Sequence, residues 1–120
     1  MDLNLEFDQP IAQRIIEGKD GKLAVTLGMP RFEEQISSWI CPYLIEGIPD
    51  EPNYRFWGGG TDSVHAIIAA LANLGAVLNY RWKDKLGLNF YDTDHLGFLD
   101  AQQPPLSNWS ARSGDGEDTK

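Results

Sequence analysis

The densest group of metal-binding and acid–base side chains in the 120-residue chain is Asp92-x-Asp94-His95. Two carboxylates and an imidazole so close together suit a divalent cation, or a division of general-acid and general-base roles. Three neighbouring ligands usually need a distant fourth. The other histidine, His65, stands at the edge of a helical stripe, where a solvated ring is expected. A turn over residues 91–95, with the aspartates bonding their own backbone, accounts for the group without a metal. Neither a metal nor a cofactor is expected, and a metal-dependent enzyme using Asp92, Asp94 and His95 is kept as the alternative reading.

Other reactive types lack companions. Cys41 is the one cysteine, so no disulfide forms within the chain and a Cys-only zinc site is excluded. A nucleophilic thiol needs a base nearby, and the apolar surroundings of Cys41 fit a small core residue better. Ser63 lacks the Gly-x-Ser-x-Gly elbow. Gly58-Gly59-Gly60 ahead of a helix resembles a phosphate cradle, but no Gly-Lys-Ser/Thr follows and Asp62 would compete with an anion. A strand-to-helix turn needing positive φ explains the glycines, and no catalytic residue is expected.

Binding chemistry is better represented. Glu46, Asp50 and Glu51 sit in or beside a loop with Pro49 and Pro52, and Tyr54 and Trp57 follow. Acids and aromatics at a loop are the materials of a protein-binding surface, because loops on a rigid scaffold carry contacts and aromatics anchor them.

The elements that must position these residues follow from periodicity. Leu3, Leu5 and Phe7 alternate with polar residues, the mark of a half-buried strand. Residues 11–17 and 23–27 form two further strands around Asp20-Gly21, a hairpin signal. Residues 31–37 are polar and ambiguous. Residues 39–45 are apolar on both faces, although Pro42 argues for an edge or a bulge. Residues 54–57 make one short strand. Asp62 or Thr61 caps a helix whose stripe is Val64, Ile67, Ile68, Leu71 and Leu74, with Gly75 as its terminator. Residues 77–82 and 86–91 resemble two more strands around Lys83-Asp84-Lys85, read as a solvated hairpin tip. The expectation is an α+β fold: a curved antiparallel sheet of about six strands with one main helix packed across one face. Residues 1–100 form the domain, and residues 101–120, with Pro104-Pro105 and a run of small and polar residues, form a flexible tail.

Composition narrows the class. Hydrophobic residues make up 42 % and charged residues 23 %, ordinary globular usage. The formal charge of −8 disfavours nucleic acid as a partner and favours a protein more basic than this chain. The longest apolar run, residues 66–72, is far short of the ~20 residues of a membrane span, so no membrane association is expected. The amino terminus shows no basic stretch followed by an apolar one, and a cytoplasmic location is expected.

Trp39-Ile40-Cys41-Pro42-Tyr43, then Asp62-Ser63-Val64-His65-Ala66-Ile67 opening a helix, then Leu96-Gly97-Phe98, resembles an uncharacterised bacterial domain family over residues 11–100. That resemblance implies strands, one helix and a closing strand or loop, and carries over no functional residue. By type, a small acidic domain without an active site also resembles bacterial immunity proteins that neutralise toxins. The expected function is therefore non-enzymatic protein binding of immunity type through Glu46, Asp50, Glu51, Tyr54 and Trp57. A structural or assembly subunit, burying an apolar face in a homo-oligomer, is the third class.

Overall fold

A computed structural model describes residues 3–91 and 96–98. Five strands form one antiparallel sheet: β1 (Pro10–Gly18), β2 (Gly21–Gly28), β3 (Arg31–Glu33), β4 (Ser38–Glu46) and β5 (Tyr54–Gly60). β1 and β2 join through a turn at Lys19-Asp20, one residue before the expected Asp20-Gly21, closed by Gly18 opposite Gly21, whose φ of 139° suits glycine. β4 is central. β5 pairs along one side of it, while β2 and β3 lie end to end along the other. The β2 register stops at Leu27–Tyr43 and the β3 register begins at Arg31–Ile40. Pro42 falls opposite that interruption. A residue without an N–H therefore sits in the middle strand, not at an edge as its type suggested, because the ladder is already broken there.

The helical part is longer than expected. α1 (Ser63–Val77) runs through Gly75, which is buried inside it, into a π-helical turn (Leu78–Trp82) and a short α2 (Lys83–Leu86). Asp62 is the cap, accepting from the His65 backbone N–H at 2.8 Å. The helix stops at Gly87, whose φ of 62° is the left-handed conformation typical of a helix end. Residues 77–82 are thus helix, not strand. A period of two and a wider helical turn can both bury Leu78 and Trp82, and packing on the sheet decides between them. Asn89 makes only a two-bond bridge to Glu17 on β1 (2.9 and 3.2 Å). Among the described residues the sheet accordingly has five strands rather than six.

Ser63–Leu86 is 24 residues long and contains an 18-residue stretch of mean hydropathy 1.4, long and apolar enough by length and composition to cross a membrane. The expectation that no segment could span a bilayer counted only the unbroken apolar run of residues 66–72. Here the inner face of the helix is packed on the sheet.

Alternation along the strands separates two faces. Ile16, Leu23, Val25, Cys41, Tyr43 and Ile45 face α1, with Ala66, Ala70, Leu74, Leu78 and Trp82 from the helical side. The buried helix line is the i, i+4 row from Ala66 to Trp82; of the predicted stripe Val64, Ile67, Ile68, Leu71 and Leu74, only Leu74 lies on it. Val64 is 62 % exposed, whereas Ile67 and Leu71 pack at the flank. The reason lies in β5. A Cβ on Gly60 would come within 2.6 Å of the Ala66 nitrogen, and one on Gly58 would overlap the Ala70 backbone. The three glycines belong to the strand, and Gly58 and Gly60 let the helix backbone rest on it, so the residues at the contact must be small.

Residues 3–9 cross the opposite face without forming a strand. The expected alternation survives as burial, with Leu3, Leu5 and Phe7 half-buried. The Phe7 ring fills the space a side chain on Gly28 would need. The Arg31 guanidinium donates to the carbonyls of Asn4 and Glu6. At the other end of the chain, Arg14 on β1 lies between the rings of Phe90 and Phe98, 4.4 and 4.8 Å from their centroids. It donates to the carbonyls of Leu96 and Gly97 at 3.0 and 2.9 Å.

Candidate protein-binding surface

The acidic loop and the aromatic end of β5 come together at one end of the sheet. β4 ends at Glu46, the chain turns through Gly47 with φ of 94°, and Asp50 takes a left-handed φ of 61°. Glu46 and Asp50 are both exposed. Glu51 has a different role. Its carboxylate lies 3.6 Å from the Arg81 guanidinium and 3.3 Å from the Lys85 ammonium. Arg81 from the π-helical turn and Lys85 from α2, the latter expected at a solvated hairpin tip, thus converge on this acid and join the loop to the helical arm.

That clasp is backed by rings. The Arg81 guanidinium lies 4.7 Å from the Trp82 ring centroid and 5.5 Å from that of Tyr54. Tyr54 meets Trp82 edge-on at 5.3 Å and tilts toward Tyr43 at 6.5 Å. Burial drives the Tyr43 phenol above its ordinary range, with a smaller contribution from Tyr54. The wider π-helical turn, a frequent mark of functional sites, turns Trp82 into the core and leaves Tyr80 71 % exposed. Tyr54, Phe56, Asn73, Ala76, Tyr80 and Arg81 border an open groove of about 580 Å³.

Trp57 is not brought to this group. Tyr54 pairs with Ile45 and Phe56 with Tyr43 on the face toward α1, so Trp57, paired with Pro42, points to the other face. Its ring lies 5.8 Å from that of Phe56. Sequence reasoning missed Phe56, Tyr80, Arg81 and Asn73. The signal for Tyr80 and Arg81 was the four-residue spacing of Leu74, Leu78 and Trp82, which continues the helix beyond Gly75.

The reactive candidates are placed differently. Cys41 is buried, its thiol pushed up to about 11 by that burial, and its sulfur is 3.5 Å from the Gly28 carbonyl oxygen. A thiol that resists ionisation is a poor nucleophile. His65 accepts the Thr61 backbone N–H at Nδ1, 3.1 Å away. Asp92, Asp94, His95 and the segment 101–120 lie outside the described residues. Among the described residues, no three His, Cys, Asp or Glu side chains are grouped to hold a metal ion.

Fold and surface together define a small α+β domain whose main helix is seated on glycines of β5 and whose sheet ends in an acidic loop beside aromatic residues. The chain belongs to the family described as a domain of unknown function, DUF6968, whose model matches residues 12–99. No curated protein and no solved structure matches it.

Proposed function

We propose that this domain is a non-enzymatic protein-binding module whose partner is more basic than itself. Within that class we favour an inhibitor of immunity type, one that neutralises a bacterial toxin in the cytoplasm. The supporting observation is the loop clasp. Glu51, held by Arg81 and Lys85, fixes the loop beside the exposed Tyr80 ring while Glu46 and Asp50 stay exposed. A loop ordered before binding loses less entropy on association. Exposed carboxylates on a chain of charge −8 steer a basic partner toward it.

Glu51 already serves the fold, so the test belongs at the exposed acids. The full chain is used to capture proteins from the cell that makes it, beside the double variant Glu46→Lys, Asp50→Lys and the single variant Tyr80→Ala. The expected result is a protein of net positive charge retained by the natural chain and depleted from both variants. Retention of the same proteins by all three chains would remove this surface from the account.

A further inference from the structure

Among the described residues, β5 is hydrogen-bonded to β4 and to no other strand. Its free edge has a definite pattern. Pro42 stands opposite Trp57 and has no N–H to give. Bonded and non-bonded pairs alternate along an antiparallel ladder. The Pro42–Trp57 pair is then a non-bonded one, and the N–H and C=O groups of Arg55, Trp57 and Gly59 point away from β4. Asn73 Nδ2 donates to the Trp57 carbonyl at 3.2 Å, which leaves that oxygen a second lone pair. Of the usual guards of an edge strand, β5 has no lysine, no proline and no bulge in its register; its one charge is Arg55.

We propose that a second copy of this chain covers that edge, β5 against β5, antiparallel about Phe56. The two-fold arrangement is self-complementary. Phe56 meets the second copy's Phe56 in a non-bonded pair, where facing side chains are closest. Arg55, the strand's one charged residue, meets the second copy's Trp57 and lies against an indole ring, not against another arginine. Tyr54 meets the second copy's Gly58. The faces fit as well. α1 roofs the glycine half of β5, while the aromatic half borders the open groove and Phe56 is 45 % exposed. Antiparallel pairing sets the roofed half of each copy beside the open half of the other. A strand edge alone is a small interface, and the groove supplies the apolar contact a stable one needs. The acidic loop precedes β5, so the joined sheet carries one such loop at each end of the new ladder. The inference does not depend on the basic partner.

The test uses the purified full chain alone. Light scattering at rising concentration is expected to give twice the 13.4 kDa chain mass. Phe56→Lys sets two ammonium groups against each other across the axis and should weaken the dimer at least about tenfold. Phe32→Lys, at another exposed phenylalanine, should leave it intact. The amides of Arg55, Trp57 and Gly59 should exchange more slowly as concentration rises, a readout that stands even if Phe56→Lys fails to fold. Because each copy carries −8, added salt should tighten the dimer, whereas it should loosen a complex with a basic partner. A single-chain mass at every concentration, a dimer indifferent to Phe56→Lys, or slow edge amides in a monomer would each overturn the proposal.

Discussion

Adding one methyl group at Gly58 would push the helix off the sheet. The added Cβ would overlap the Ala70 backbone, and backbone cannot move aside as a flexible side chain does. Gly58→Ala should therefore destabilise the fold by about 1–3 kcal/mol, the usual range for overpacking. Urea denaturation checks this, and an unchanged midpoint would contradict the close contact. Cys41 offers a second check at this scale. Its thiol is raised by burial to about 11, so the folded state disfavours the thiolate. Stability from this group is fully present below the unfolded thiol value near 9 and is lost as pH rises through 11. Between those values the fold should lose roughly 1–3 kcal/mol from this source. Cys41→Ala should flatten that decline, and Tyr43 should sustain what remains of it at higher pH. An identical pH dependence in the variant would contradict the assignment. At residue scale the sequence was legible for the buried Cys41 and the Asp62 cap. The glycines were misread, because a backbone-to-backbone contact between distant segments leaves the same sequence mark as a turn.

Among the elements, α1 was legible in type, start and amphipathic character, and its face was not. Val64, Ile67, Ile68 and Leu71 have the larger side chains, so hydrophobicity alone turns them inward. The glycines of β5 reverse that choice by admitting only alanines at the closest approach, and Leu74 follows in the same row. Leu74→Ala should cost about 2–5 kcal/mol, as for a filled core site. Val64→Ala should change stability by no more than about 0.5 kcal/mol, as at an exposed site. A larger loss for Val64 than for Leu74 would restore the first reading of the helix. Strands β1, β2, β4 and β5 could be read from alternation and the Asp20-Gly21 turn. β3 was lost in the polar stretch over residues 31–37, because three residues are too few to show a period. The helical continuation was lost because Gly75 normally ends a helix. Here it lies against the core, buried, with the chain continuing into a π-helical turn that moves Tyr80 and Arg81 to the surface. The same continuation converted the expected strand over residues 77–82 into a helical arm and supplied the cations that hold Glu51.

For the whole molecule, charge and surface point in one direction. A chain of −8 that holds one loop acid by internal cations and exposes two others is suited to meet a basic surface. The charge sign of the proposed partner rests on composition. Composition did not reveal that Glu51 is engaged or that Trp57 faces away from Tyr54, since both depend on register and on the length of the helical arm. Family membership covers residues 12–99 and carries no activity with it. The central claim is that Glu46 and Asp50 guide a basic protein onto this end of the sheet. The most direct measurement is the association rate of the captured partner with the natural chain and with Glu46→Lys, Asp50→Lys, at low and high salt. Steered association should be fast at low salt and fall as salt screens charges over about 8–10 Å. The double variant should associate about tenfold more slowly at low salt, with the gap closing at high salt. Equal rates for the two chains at every salt concentration would contradict the account.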